Sequence, residues 1–361
     1  MSGARDVRKS VGQMLTVGFH GTTPTPFIRR FLQDEQGGGV ILFRRNLQEA
    51  EDILHLNQSL RELAPGPVPY LMVDQEGGPV MRLRKVASLL PPMGKVGAMG
   101  RVHDARKAGQ ILGREVRALG FNVNCAPVLD VHSNPQNPII GDRAFSTDPE
   151  MVGKLGEAFI RGMQAMGVLA CGKHFPGHGD TSVDSHLDLP VLPHGLERLR
   201  EVELVPFRHV VKTAPPALMM TAHILLPELD PKHPCTLSET ILPQLIRQEM
   251  GYGGVVVTDD LEMKAIDDRY AMEEVVRLGL KAGIDVFLIC HDEEKQQLAL
   301  DTLRKLLTDG EVTPERIQGS LKRIHRTKTA LATTPVATQS EMASSLLRSE
   351  DQDWIERMNS I

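Results

Sequence analysis

The 361-residue chain is longer than an average domain, but α/β barrels reach this size around a single core, so its length demands no second domain. Its 41% hydrophobic and 24% charged residues are those of an ordinary globular protein, and a formal net charge of -5 offers no broad basic surface for nucleic acid. That charge predicts a neutral or weakly charged substrate; no apolar run approaches the roughly 20 residues that span a bilayer, and residues 1–10 lack the apolar stretch of a leader, which predicts a cytoplasmic protein.

Short β-type runs recur at 14–18, 39–43, 69–73, 121–128, 167–172, 217–222, 254–258 and 285–290. Most are near-continuously apolar, as expected of strands buried on both faces of a parallel sheet. Helical patterns over 47–63, 104–119, 149–166, 196–213, 239–250, 272–282 and 292–307 alternate with them. Val152, Leu155, Phe159 and Met163 form one apolar stripe at three- and four-residue steps. About eight strand–helix units predict an α/β protein, a single-domain (β/α)8 TIM barrel over 1–332, with a doubly wound open sheet as the alternative. Residues 333–361 turn to Ser, Thr, Gln and scattered charge, a polar C-terminal tail with one short helix over 351–358. Cys125, Cys171, Cys235 and Cys290 have no CxxC spacing and predict no disulfide framework.

Polar residues gather where the strands end: Asp74-Gln-Glu-Gly-Gly, Asp130-Val-His132, Lys173-His174, His223 and Asp259-Asp260. A barrel brings all of these ends to one face, where such enzymes build their sites. In Lys173-His-Phe-Pro-Gly-His-Gly-Asp-Thr-Ser-Val-Asp-Ser-His186, two glycines and a proline exclude a helix after the strand and predict a loop able to approach a ligand closely. Residues i and i+2 of an extended stretch share a side, which would join Asp184 to His186 as a carboxylate-oriented imidazole, a general acid/base pair. A metal site built from His174, His178, Asp180, Asp184 and His186 is the competing reading. The His174/His178 spacing suits a helical zinc pair, and Pro176 and Gly177 argue against that helix. Asp259 and Asp260 end a buried strand and should face opposite ways, one toward the barrel mouth and one toward a cap or a basic neighbour. The spacing does not choose between them as nucleophile.

With these segments in view the chain resembles the β-N-acetylglucosaminidases of glycoside hydrolase family 3 from about residue 11 to 329. The likeness rests on Gly38-Gly-Val-Ile-Leu-Phe-Arg-Arg-Asn46, Val73-Asp-Gln-Glu-Gly-Gly78, Pro127-Val-Leu-Asp130, Gly141-Asp-Arg-Ala-Phe-Ser146, the 173–186 loop and Thr258-Asp-Asp-Leu-Glu-Met263. The resemblance implies a retaining hydrolase of terminal N-acetylglucosamine with Asp259 as nucleophile and His186, oriented by Asp184, as acid/base. It implies sugar contacts from Asp74, Arg82, Arg143, Lys173, His174 and Met263; with the 173–186 loop read as a sugar and proton-transfer loop, no metal and no cofactor are expected. Many relatives carry Arg after the Gly-Gly pair where this chain has Pro79, which leaves Arg82 in place. Longer relatives draw their acid/base from a second domain, whereas here Asp184-Ser-His186 lies within the barrel. The implied substrate is a carbohydrate or muropeptide of peptidoglycan recycling, with no nucleic acid or membrane partner; the oligomeric state is left open. A β-glucosidase or glycoside phosphorylase on the same barrel, or a non-catalytic sugar-binding barrel, are the alternatives.

Overall fold

The computed structural model describes residues 7, 8 and 10–361. Parallel strands β1 (Leu15–Val17), β2 (Gly39–Ile41), β3 (Tyr70–Val73), β4 (Val123–Asn124), β5 (Leu169–Phe175), β6 (Leu218–Thr221), β7 (Val255–Asp260) and β8 (Val286–Ile289) form a closed ring. Each pairs with its neighbours in sequence, and β8 returns to β1 with Leu15 opposite Phe287 and Val17 opposite Ile289. Closure rules out the open sheet, because the ring leaves no strand edge unpaired.

Helices α1 (Pro26–Gln33), α2 (Ala50–Leu63), α3 (Val102–Ala118), α4 (Pro149–Gln164), α5 (Val205–Thr213), α6 (Met272–Ala282), α7 (Glu293–Thr308) and α8 (Pro314–Ala332) surround the ring. Local chemistry sets their starts. Thr25, Asp148 and Thr313 each accept a backbone N–H from the first helical turn and are followed by Pro, whose missing donor costs nothing there. The single helix predicted over 196–213 is broken into Leu196–Glu201 and α5. Between them Glu203 turns inward to Arg198 at 3.1 Å, and Pro206 opens the second helix. Helices α1 and α8 were absent from the sequence reading, as was the antiparallel ribbon Gln75–Gly77 with Val80–Met81 that follows β3.

The N-terminal end of the barrel is a structural clamp. Asp285, fully buried, receives Arg247 at 2.7 Å, Arg323 at 2.8 Å and the Val256 N–H at 2.9 Å, tying α8 to β7 and β8. Nearby, Lys328 of α8 is buried, donates to Gln13 Oε1 at 2.7 Å and Gly38 O at 2.5 Å, and lies 4.6 Å over the Tyr70 ring. Beyond α8 the chain forms helices Gln339–Ser345 and Ser349–Asn359 and returns to α3. Trp354 Nε1 donates to Asp104 at 2.8 Å, and buried Asp351 pairs with Lys107 and Arg114.

Candidate active site

Because the strands are parallel, their C-terminal ends lie together, and Asp74, Asp130, Lys173, His174, His223, Asp259 and Asp260 all sit there. Strand β5 runs on through Phe175, so Lys173 and His174 are strand residues, not the start of the loop. That extension places their side chains on the rigid wall of the barrel.

An alternating chain of charges crosses this face. Arg82 Nη2 and Lys173 Nζ each lie 3.0 Å from one oxygen of Asp74, Lys173 Nζ lies 2.7 Å from Glu76, and Arg143 forks onto Glu76 with two contacts of 2.9 Å. Burial works to raise both carboxyl pKa values. Lys173 with Arg82 outweighs it at Asp74, and Arg143 with Lys173 outweighs it at Glu76, which is held at about 2. Burial likewise works to deprotonate Lys173, but Asp74 and Glu76 keep its pKa above the ordinary lysine value. The result is a fixed set of charged donors and acceptors suited to the hydroxyls of a neutral sugar.

His174 is oriented from behind. Asp130, fully buried, accepts the ring Nδ1–H at 2.7 Å and the backbone N–H groups of His174 and His178 at 3.2 and 2.7 Å. This leaves Nε2 of His174 as the ring atom available to a ligand. The His174 and His178 rings stand 6.0 Å apart, edge to face, and His178 turns instead to Thr181. They do not converge as the metal reading of the loop required. Among the described residues one group has metal-ligand types in reach, Asp180, His194 and Glu203, with candidate ligand atoms within 4.8 Å of one another. The Arg198 guanidinium lies 3.1 Å from Glu203 and 3.5 Å from Asp180, and so already supplies positive charge there.

Asp184 and His186 meet, but by a different geometry from the one expected. The segment is a turn, not an extended stretch. Asp184 Oδ1 accepts both the backbone N–H and the ring Nδ1–H of His186, each at 2.8 Å, while Asp184 O accepts the N–H of Leu187 at 2.9 Å. The His186 side chain is 67% exposed against 20% for Asp184, so the oriented imidazole presents Nε2 outward. The loop glycines let the loop approach neighbouring segments closely: a Cβ at Gly179 would lie 1.7 Å from Val131 O, in the segment that follows β4.

The two strand-end aspartates separate as their alternation predicts. Asp260 Oδ1 accepts the N–H groups of Glu262 and Cys290, both at 3.2 Å, and Oδ2 lies 3.3 Å from His291. Asp259 accepts only the N–H of Asp260, at 2.8 Å, and makes no ion pair among the described residues. Buried His223 lies beside this pair with Nε2 donating to Asp260 O at 3.0 Å, and burial lowers its pKa despite the nearby Asp259 charge. Met263, 5% exposed, follows the strand and donates its N–H to Asp260 O at 3.2 Å.

The sequence places Glu76, Asp130 and His223 among the strand-end clusters of the site face but assigns none of them a specific role. The signal for Glu76 was its place two residues after Asp74 in a Gly-Gly segment, but only the ribbon after β3 turns it toward Lys173 and Arg143.

Residues 6–327 match the model of the glycosyl hydrolase family 3 N-terminal domain. A β-hexosaminidase of Thiobacillus denitrificans is 40% identical over 303 residues, 82% of each chain. Beta-hexosaminidase A of Pseudoalteromonas piscicida is 36% identical over 336 residues, and there the match covers 86% of this chain but only 56% of the relative. The solved structure of a family 3 β-N-acetylglucosaminidase from Paenibacillus sp. FPU-7 superposes with a TM-score of 0.92 at 40% identity, over 97% of this chain and 68% of that one.

Proposed function

Since the chain belongs to glycosyl hydrolase family 3, we propose that it is a retaining β-N-acetylglucosaminidase that removes terminal N-acetylglucosamine. The observation that carries the reading is Asp259, a carboxylate with no ion pair among the described residues, on the same barrel face as the Asp184–His186 pair and the Asp74–Lys173–Glu76–Arg143 charges. The β-hexosaminidase and β-N-acetylglucosaminidase names of the relatives support the sugar.

In this proposal Asp74, Arg82, Lys173, His174 and Arg143 hold the hydroxyls of the sugar, and Met263 gives an apolar contact. Asp259 attacks the anomeric carbon as the bond to the leaving group breaks, and protonated His186 gives its Nε2 proton to the departing oxygen. The Asp184 carboxylate on Nδ1 orients the ring and stabilises its charged form. Water then attacks the glycosyl ester, neutral His186 takes the water proton, and Asp259 leaves as carboxylate, so atoms and charge balance over the cycle. Muropeptide fragments of peptidoglycan recycling are the substrate we assign from the family resemblance. A reducing, cytoplasmic setting suits four buried thiols that form no disulfide.

The experiment is mass spectrometry of protein treated with a 5-fluoro N-acetylglucosaminyl fluoride, which slows both chemical steps. The expected result is a glycosyl adduct on the peptide carrying Asp259. Turnover without any adduct would point to the substrate's own acetamido group as nucleophile. Product formation that requires inorganic phosphate would identify a phosphorylase.

A further inference from the structure

The loop carrying Asp184 and His186 is exposed at its tip, so something beneath it must fix the imidazole to within the tolerance that proton transfer demands. His178 lies under that tip, 2% exposed, with its two ring nitrogens on two different hydroxyls of the same loop. Nδ1 is 2.7 Å from Thr181 Oγ and Nε2 is 3.2 Å from Ser185 Oγ.

The hydrogen-bond bookkeeping sets the direction of each contact. With the Thr181 hydroxyl donating to His178 O at 3.0 Å, Thr181 Oγ accepts from the ring at 2.7 Å, and we assign the hydrogen to Nδ1 on that basis. Burial is the first cause lowering the His178 pKa, to about 4, and the ring is neutral near pH 7. Nε2 is then a bare lone pair, and the Ser185 hydroxyl donates to it. Ser185 stands between Asp184 and His186 in the chain, is itself 3% exposed, and its carbonyl accepts the Ala265 N–H at 3.2 Å. The His178 backbone is pinned by the Asp130 oxygen that also receives the His174 N–H. One continuous set of contacts therefore runs from a sugar-facing histidine, through Asp130 and His178, to the residue between the two members of the proton-transfer pair.

We propose that His178 is a positioning residue for proton transfer, holding the Asp184–His186 turn in register with the sugar site through its Nε2 contact to the Ser185 hydroxyl. The proposal rests on the reading of His186 as acid/base, and the test separates the two.

Ser185→Ala removes the hydroxyl with little change of shape. His178→Asn keeps an amide near the place of Nδ1 and deletes the reach to Ser185, whereas His178→Gln restores an oxygen near the place of Nε2. Each is assayed on a disaccharide and on a dinitrophenyl N-acetylglucosaminide, whose leaving group scarcely needs a proton. Ser185→Ala and His178→Asn are expected to lose about tenfold or more in kcat on the disaccharide and less than about threefold on the activated substrate. His178→Gln should recover most of the loss, and the His178→Asn/Ser185→Ala double variant should be no worse than the worse single variant. Equal losses on both substrates, additive losses in the double variant, or a wild-type-like Ser185→Ala would overturn the proposal. Should His178→Asn fail to fold, Ser185→Ala alone still decides. If His186→Ala itself shows no dependence on the leaving group, the acid/base assignment has failed, and the inference built on it falls for that separate reason.

Discussion

Two adjacent carboxylates, Asp259 and Asp260, have different surroundings, and the difference assigns them different work. Asp260 is spent on the N–H groups of Glu262 and Cys290 and on His291, while Asp259 keeps an oxygen without a partner among the described residues. Asp259→Asn is expected to lower kcat on the order of 10⁴-fold or more with the fold intact, because an amide cannot form the glycosyl ester. Asp260→Asn should lose less in kcat and more in thermal stability; the opposite ranking, read from kinetics and melting curves, would exchange their roles. Glu76 is a different kind of residue, a buried anion shared by two cations. Glu76→Gln leaves Lys173 and Arg143 undercompensated and should cost about 3–5 kcal/mol in denaturant unfolding, the scale of breaking a buried ion pair. Since both cations are assigned to sugar binding, KM should rise more than kcat falls, and an unchanged KM in a folded variant would count against that role.

At the scale of elements, β5 and the loop after it divide the residues proposed for sugar binding from the pair proposed for proton transfer. Lys173 and His174 belong to the strand and are held by buried carboxylates, whereas Asp184 and His186 belong to a turn at the surface. His186→Ala should therefore slow the disaccharide by about 10²–10⁴-fold, the usual worth of a general acid, and the dinitrophenyl glycoside far less. Asp184→Ala should follow the same pattern, because the imidazole loses its orientation. Lys173→Ala should weaken both substrates alike, as expected for a contact made equally in ground and transition states. Equal losses for His186→Ala on the two substrates would make His186 a binding residue and send the search for the proton donor elsewhere.

At the scale of the whole molecule, the two ends of the barrel do different things. The C-terminal face holds the candidate site, and the opposite end holds the Asp285 clamp and Lys328. Burial pushes the Lys328 pKa from 10.5 down to about 7. Between those values the unfolded chain binds more protons than the folded one, so this group adds stability as pH rises from about 7 to about 10 and changes nothing below the lower value. The stability of the wild type relative to Lys328→Met, measured in denaturant, should accordingly rise over that interval by a few kcal/mol at most, on the order set by ~1.4 kcal/mol per pKa unit. A flat difference would mean that the ammonium is retained by Gln13, Gly38 and the Tyr70 ring. The C-terminal segment is a second stability element, which we propose closes over α3. Trp354, 4% exposed, fills that contact, and Trp354→Ala should cost about 3–5 kcal/mol while leaving kcat/KM at 25 °C unchanged. Loss of activity in a folded Trp354→Ala protein would show that the segment reaches the site.

What the sequence determined by itself was the periodic part of the molecule. Buried strands announce themselves as apolar runs and amphipathic helices as stripes, so the (β/α)8 order was legible from residues 14–18 through 285–290. Strand-end clustering was legible too, because a parallel barrel sends every such end to one face. The pairing of Asp184 with His186 could be read from their spacing, although the turn that makes it could not, since an aspartate that caps its own turn and an extended strand share the i, i+2 signature. Helices α1 and α8 and the ribbon after β3 were not legible in this way, and with the ribbon went the role of Glu76. Only the tertiary structure decided which charges meet: Asp74 with Lys173 across 99 residues, Glu76 with Arg143 across 67, and Asp130 with His174 across 44. The physical reason is that periodicity records whether a side chain faces core or solvent, a local property. The partner of a buried charge is set by the closure of the barrel, which brings distant strand ends within hydrogen-bonding distance and leaves no trace in the spacing of residues along the chain.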